Sequence, residues 1–289
     1  MENKRLRTHK LAICFLTILI SCSGLCHSKN KSCNKALKVM SYNIRFGEAN
    51  DGDNSWEFRR PATLEMLKEH APDVFGVQEA LDYQLKYITD NNRKYTYVGV
   101  GRDEGNSKGE HSAIVYNKRT IKLYKQGTFW LSETPDVPSK GWDARHKRIA
   151  TWALLKDKKT GNKFYFVNTH LDHKGRQAQK NSLLFIVEFI RSINPDGFPM
   201  VLTGDFNVRP DNPALAGLNE IMSSTRTIAR STDNNKTYHG WGKVSDNPII
   251  DYIYIDGFTE CLEYETVTDS YLDIPYTSDH YAIKSTLIF

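Results

Sequence analysis

Five short polar clusters each close an apolar, strand-like run in this 289-residue chain. They are Ser41-Tyr42-Asn43, Gln78-Glu79, Asn168-Thr169-His170, Gly204-Asp205-Phe206-Asn207 and Ser278-Asp279-His280. Asp251 opens a sixth run, Asp251-Tyr252-Ile253-Tyr254-Ile255. Carboxylates, amides and imidazoles at the tips of rigid strands are what a metal-assisted hydrolase needs. The oxygens suit a hard cation, the imidazoles handle protons and the amides hydrogen-bond.

The individual spacings refine that reading. Met200-Val201-Leu202 reads as a buried strand, Gly204 is expected to let the backbone turn sharply, and Asp205 and Asn207 share a face. A carboxylate beside an amide can bind a cation, hold a water or hydrogen-bond a phosphoryl oxygen, although the pair also suits an Asx turn. Asp279 and His280 point to different sides of an extended chain, one toward a metal and one toward the scissile group. Asp251 is costly in a strand unless paired. His280 is its expected partner, and the pairing fixes the imidazole tautomer. Glu79 is a candidate ligand for magnesium or manganese, or else a first-turn helix residue. The Asn43 amide would ligate the same metal or orient Glu79, and His170 would donate to a phosphoryl oxygen.

These tips need stems. Strands are predicted over Lys38–Ile44, Val74–Gln78, Thr96–Val100, Ala113–Tyr116, Ile149–Leu155, Phe164–Asn168, Met200–Thr203, Ile249–Ile255 and Tyr281–Ile288. Helices are predicted over Glu57–His70, with Phe58, Leu64 and Leu67 on one side, over Leu81–Thr89, and over Arg176–Ile193 with a broad apolar face stopped by Pro195. Imperfect alternation of strands and helices suggests two mixed sheets packed face to face with helices outside.

The N-terminus reads differently. Lys4, Arg5, Arg7 and Lys10 precede the apolar run Leu11 to Ile20, the layout of a secretory signal, so residues 1–21 are expected to direct export. Leu19-Ile20-Ser21-Cys22 resembles a bacterial lipobox, which would anchor the chain at Cys22 in the cell envelope or periplasm. Cleavage near His27 is the alternative. Residues 22–36 are small, polar and lysine-rich, a flexible tether, leaving 37–289 as one catalytic domain. Without residues 1–21 the 39 basic and 34 acidic residues become 35 and 33, a net charge of +2. A protein gripping many phosphates of duplex DNA carries a basic footprint, so this balance favours a small or membrane-borne substrate. The cysteines show neither a CxxC pair nor zinc-finger spacing, and Cys26 with Cys33 could oxidise after export.

Taken in order, Ser-Tyr-Asn43, Gln-Glu79, Asn-Thr-His170-Leu, Gly-Asp205-Phe-Asn207, Ile-Asp251-Tyr-Ile and Ser-Asp279-His280 resemble the endonuclease/exonuclease/phosphatase superfamily, the deoxyribonuclease-I-like hydrolases. The resemblance covers roughly Leu37 to Phe289. It implies a mixed α+β fold, a four-layer α/β/β/α sandwich, and cleavage of phosphate esters with Mg2+ or Mn2+. Glu79 is then similar to the family's principal metal ligand, with Asn43 and Asp279 nearby. His170 and Asn207 are similar to residues that hold the phosphoryl group. Asp205 and the Asp251–His280 pair resemble the acid/base machinery, with the general base left between Asp205 and His280. Some nuclease members carry an acidic residue where this chain has Arg45, which instead offers a cation to substrate.

Substrate choice is less legible. The stretches Thr128–Ser132 and Gly141–Arg148 are aromatic and basic and could wall the site. Gly109-Glu110-His111, Asp172-His173 and Tyr238-His239-Gly240-Trp241 could line it. The leading expectation is an exported, monomeric, metal-dependent phosphodiesterase acting on a small organic or lipid-head phosphate. A nuclease acting on nucleic acid is the alternative, and a non-catalytic surface binding module the second. A glycosidase is disfavoured, because no HExxH or paired-Glu arrangement is present.

Overall fold

The computed structural model describes residues 36–246 and 248–289. The expected signal segment, Cys22, Cys26, Cys33 and nearly all of the tether lie outside the described residues. The strands are β1 (Leu37–Asn43), β2 (Val74–Ala80), β3 (Tyr95–Val98), β4 (His111–Asn117), β5 (Ile121–Trp130), β6 (Ile149–Asp157), β7 (Lys163–His170), β8 (Met200–Asp205), β9 (Ser223–Ser224), β10 (Asp251–Asp256), β11 (Glu260–Thr266) and β12 (Ile283–Ile288). The longer helices are α1 (Trp56–His70), α2 (Asp82–Asn91) and α3 (Arg176–Ile193). No helix among the described residues is long and apolar enough to cross a membrane.

The strands form two six-stranded sheets, ordered β11-β12-β1-β2-β4-β3 and β5-β6-β7-β8-β10-β9. Both are mixed: β1/β2 and β7/β8 run parallel, and the other pairs are antiparallel. The central strands are apolar on both faces because each sheet is covered twice. Leu37, Val39, Val74 and Ile114 of one sheet pack with Phe164, Phe166, Val201 and Ile253 of the other. Trp56, Ala62, Met66, Leu85 and Ile88 of α1 and α2 cover the first sheet, and Leu183, Ile186, Val187 and Ile190 of α3 cover the second. Three apolar interfaces therefore separate four layers, the α/β/β/α sandwich expected.

Four details depart from the sequence expectation. Strands β5, β9 and β11 form three of the four sheet edges, where no strand was predicted. Phe58 is exposed, because α1 buries Trp56, Arg59, Ala62, Thr63 and Met66 instead. Gly204 makes no turn. It lies within β8, where a side chain would collide with the Thr169 carbonyl, so close strand packing explains its type. The Thr128–Ser132 stretch does not wall a site: Phe129 and Leu131 join the core under α3.

Candidate active site

Topology brings the polar clusters together. The parallel pairs β1/β2 and β7/β8 place Asn43 and Glu79, and His170 and Asp205, at the same ends of their sheets. Strands β10 and β12 run antiparallel to β8 and β1, so their upstream ends, Asp251 and Asp279–His280, arrive at that same edge. In register, His170 stands beside Asp205 and Asp205 beside Asp251. Beneath them a buried amide network ties the sheets together. Asn168 Oδ1 accepts from Gln78 Nε2 at 2.6 Å and Thr203 Oγ1 at 3.0 Å, and its Nδ2 donates to Val77 O and Ala113 O.

Three site residues leave ordinary backbone geometry. Arg45, Glu79 and Asn207 have φ of 64°, 60° and 53°. Left-handed backbone is costly for side chains other than glycine, Asn tolerating it best, and such strain collects at functional sites. For Glu79 the cause is a bulge in β2 between Val77 and Ala80, which turns its carboxylate to the sheet end.

Asn43 Nδ2 donates to Glu79 Oε1 and to Asp205 Oδ2, both at 3.0 Å, while its Oδ1 accepts from Arg45 N. Glu79 Oε2 accepts from Phe46 N at 2.8 Å. Asp205 Oδ1 accepts from Asn207 N at 2.9 Å. His280 Nδ1 lies 2.9 Å from Asp251 Oδ2, and its Nε2 is 3.8 Å from Asp205 Oδ2. His170 Nε2 is 3.0 Å from Asn207 Nδ2, which also donates to Leu171 O. Asp279 accepts from Ser278 and lies 3.5 Å from Arg45 Nη1. Arg45 is otherwise held by Asp51, through its Nε at 2.9 Å and Nη2 at 3.0 Å.

The electrostatics follow from crowding. Burial, then the Asp251 charge, pushes the Asp205 carboxyl up to about 7. Burial opposes the charged form of His280, but Asp251, Asp205 and Asp279 outweigh it and raise its pKa to about 10. Burial likewise opposes Glu79, yet the His280 charge and hydrogen bonds from Asn43 and Phe46 hold it below the ordinary range. His170 is driven well below its usual value by burial and then by Arg148 and Arg102, so it stays neutral.

A cavity of about 460 Å³ opens over these groups. Arg45, Glu79, His170, Asp205, Asn207, Asp279 and His280 line it directly, whereas Asn43 and Asp251 act from behind, through Glu79 and Asp205 and through His280. Of the candidate wall residues, Glu110, His146, Arg148, His173 and Tyr238 reach it. Trp142, Asp172, His239 and Trp241 do not line it, and His111 turns away to the Ala80 carbonyl. Arg102 lines it unforeseen, being placed by tertiary contacts that no local motif marks: Trp130 Nε1 donates to its carbonyl and Glu110 grips its guanidinium.

The donor set fits a hard divalent cation. Glu79, His170 and Asp205 offer ligand atoms within 4.8 Å of one another, as do Asp205, Asp251 and His280. Glu79, Asp205, Asp251 and Asp279 bring four carboxylates to one buried edge, more than Arg45 and His280 neutralise.

Comparison with known proteins agrees with this fold. The family model described as "Endonuclease/Exonuclease/phosphatase family" matches residues 40–280. The fold is similar to a structure of Bacteroides thetaiotaomicron mannosyl-6-phosphatase, at 35% identity and TM-score 0.83, covering 88% of this chain and 100% of that one. It is also similar to an endonuclease/exonuclease/phosphatase from Bacteroides vulgatus, at 33% identity and TM-score 0.82, covering 87% and 98%. The Ccr4 3'-5'-exoribonuclease subunit of Emericella nidulans is 29% identical across 47% of this chain and 24% of its own length.

Proposed function

The chain belongs to the endonuclease/exonuclease/phosphatase family, and on that premise we propose that it is a divalent-metal-dependent phosphoesterase acting on a small organic phosphate. The observation that carries this reading is the meeting, in one cavity of about 460 Å³, of the Glu79 and Asp205 carboxylates, the Asp251-paired His280 and the His170–Asn207 pair. That volume is of small-molecule size.

Glu79 and Asp279 are the cavity-lining carboxylates that would hold Mg2+ or Mn2+, with Asn43 orienting Glu79 from behind. When bound, the ion supplies Lewis acidity and charge neutralisation at the phosphoryl group. His170, Asn207 and Arg45 hydrogen-bond the phosphoryl oxygens. Both nitrogens of His280 face carboxylates, so it carries both protons and contributes positive charge. Asp205 is left as the acceptor of the water proton. The water oxygen bonds phosphorus, its proton passes to Asp205, the ester P–O bond breaks, and the departing alcohol oxygen is protonated from solvent.

In place of the phosphodiesterase expectation we propose a monoester preference. Its support is the 35% identity to a mannosyl-6-phosphatase that this chain spans end to end. The likeness to an exoribonuclease subunit favours cleavage of nucleic acid as a second reading. Export, with a lipid anchor at Cys22, belongs to the same proposal and is supported by the charged-then-apolar order of residues 1–21 and the Leu19-Ile20-Ser21-Cys22 run.

The test is turnover of p-nitrophenyl phosphate, bis(p-nitrophenyl) phosphate and an oligoribonucleotide with Mg2+, Mn2+ or EDTA, beside His280→Ala. The monoester should be preferred, and EDTA and the substitution should each abolish its turnover. Preference for the diester or the oligonucleotide moves the assignment to the second reading. Metal-independent turnover surviving His280→Ala sinks the mechanism.

A further inference from the structure

We propose that the cavity wall formed by Arg102, Glu110, His146, Arg148 and His173 is a subsite for the hydroxyl groups of the substrate's alcohol half, so that the preferred ester is that of a polyol such as a sugar. This rests on the phosphoesterase reading and names the substrate class it takes.

The wall contains a guanidinium with unused capacity. Arg148 is 4% exposed, and its buried Nη1 has no hydrogen-bond partner. Its other contacts are long: Nη2 lies 3.4 Å from His173 Nδ1, and Nε lies 3.5 Å from Asp172 Oδ2. Asp172 cannot swing to serve it better. Its carboxylate is saturated by the backbone N–H groups of His146, Lys174 and Gly175 at 3.1, 3.0 and 2.9 Å. A buried, under-satisfied cation is costly, and because Arg148 lines the cavity, ligand oxygens there can approach its guanidinium.

The neighbouring groups say which oxygens fit. Arg102 and Glu110 form a two-pronged ion pair at 2.6 and 2.7 Å. The rings of His146 and His173 stack at the rim, centroids 5.7 Å apart. Both imidazoles are held toward the neutral form, by burial and then by nearby arginines, so His146 offers one donor and one acceptor, and His173, whose Nδ1 accepts from Arg148, offers its Nε2–H. The wall thus alternates donors (Arg102, Arg148 and the His173 N–H) with acceptors (Glu110 and one nitrogen of His146). A hydroxyl group, which both donates and accepts, matches that alternation. A second phosphate or carboxylate, an acceptor alone, would face the Glu110 carboxylate. The wall also adjoins the reaction centre, since Glu110 Oε2 is 3.9 Å from His170 Nδ1. An alcohol joined to the phosphoryl group held by His170 therefore lies against it.

The experiment compares kcat/KM of the full chain, with Mg2+, on a hexose 6-phosphate, a hexose 1,6-bisphosphate and p-nitrophenyl phosphate. Wild type is set against His173→Ala, His146→Ala and the double variant, all surface changes that spare the core. Expected is a fall of about tenfold or more on the hexose monophosphate, mostly through KM, with p-nitrophenyl phosphate held within about twofold. Free hexose should inhibit wild type competitively and the double variant less. Equal losses on both monoesters, or none, overturn the subsite alone. A bisphosphate preferred by wild type and lost in the variants overturns it in favour of a second anion site. No wild-type turnover of any ester overturns the phosphoesterase reading and the subsite with it.

Discussion

His280 Nδ1 lies 2.9 Å from Asp251 Oδ2, and the two side chains expose only 5% and 1% of their surface. Such a pair fixes the ring and keeps it protonated. Asp251→Asn retains an acceptor but removes the charge, so His280 loses its cationic form near neutrality. Turnover should fall by about 10²- to 10⁴-fold, and His280→Ala should match it. Magnesium affinity should change little, as judged by calorimetric titration. A variant that loses affinity instead of turnover would place the pair in metal binding.

Glu79→Gln should do the reverse. Removing one of four clustered carboxylates relieves repulsion in the metal-free protein but weakens the cation site. Mg2+ at a hundred times Kd stabilises wild type by about 3 kcal/mol and so raises its unfolding midpoint. The variant should show a much smaller rise, read by thermal scans with and without EDTA. Equal rises in both proteins exclude Glu79 as a ligand.

The site was legible because its residues close the strands that cross the middle of each sheet, where apolar runs are unambiguous. The edges were not. In β5, Lys122, Lys125 and Gln126 are exposed and a bulge follows Leu123. In β11, Glu260, Glu263 and Glu265 interrupt the run around another bulge. Charges and bulges protect sheet edges from further pairing, and they also erase the alternation that marks a strand. Arg102 was missed for a different reason. Its position depends on Glu110 and Trp130, partners that spacing along the chain does not reveal.

Asn168 offers a test of the platform beneath the site. All of its hydrogen-bonding partners lie in the buried space between the sheets. Asn168→Ala takes a donor from the Val77 and Ala113 carbonyls, leaves Gln78 Nε2 with only its bond to Ser41 Oγ and opens a void, a loss of about 3 kcal/mol or more. Urea unfolding measures it. The neighbouring Gly76→Ala should be equally harmful, because a methyl there would strike Asn168 Oδ1 and Thr203 Oγ1.

His111 carries a pH dependence of stability. It is 2% exposed, and Nδ1 lies 3.2 Å from Ala80 O, so the neutral ring donates there. Burial lowers its pKa from 6.5, against weaker opposing pulls from that hydrogen bond and Asp82. On acidification the unfolded chain therefore takes the proton first. The contribution is complete above about pH 6.5 and is lost as pH falls from there toward the depressed folded value. His111→Gln should flatten the stability profile between about pH 7 and about pH 5, whatever its absolute stability. An unchanged slope would assign the acid sensitivity to other groups.

Arg59 is buried in α1, and its guanidinium donates to four backbone carbonyls: Ile44 at 2.5 Å, Arg45 and Thr277 at 3.0 Å and Asn54 at 3.1 Å. Ile44 follows Asn43, and Thr277 precedes Ser278-Asp279-His280, so one side chain holds two arms of the site. Trp56 and Trp241 lie 5.0 and 5.8 Å from it. A lysine keeps the charge but cannot span four carbonyls in one plane. Arg59→Lys should therefore cost about 2–4 kcal/mol of stability. It should also raise the magnesium concentration for half-maximal activity and lower kcat by about tenfold, because a small misplacement of reacting groups is expensive. The kinetic change separates this positioning role from simple packing. A variant that unfolds earlier yet keeps wild-type kcat and metal dependence would reduce Arg59 to a core residue.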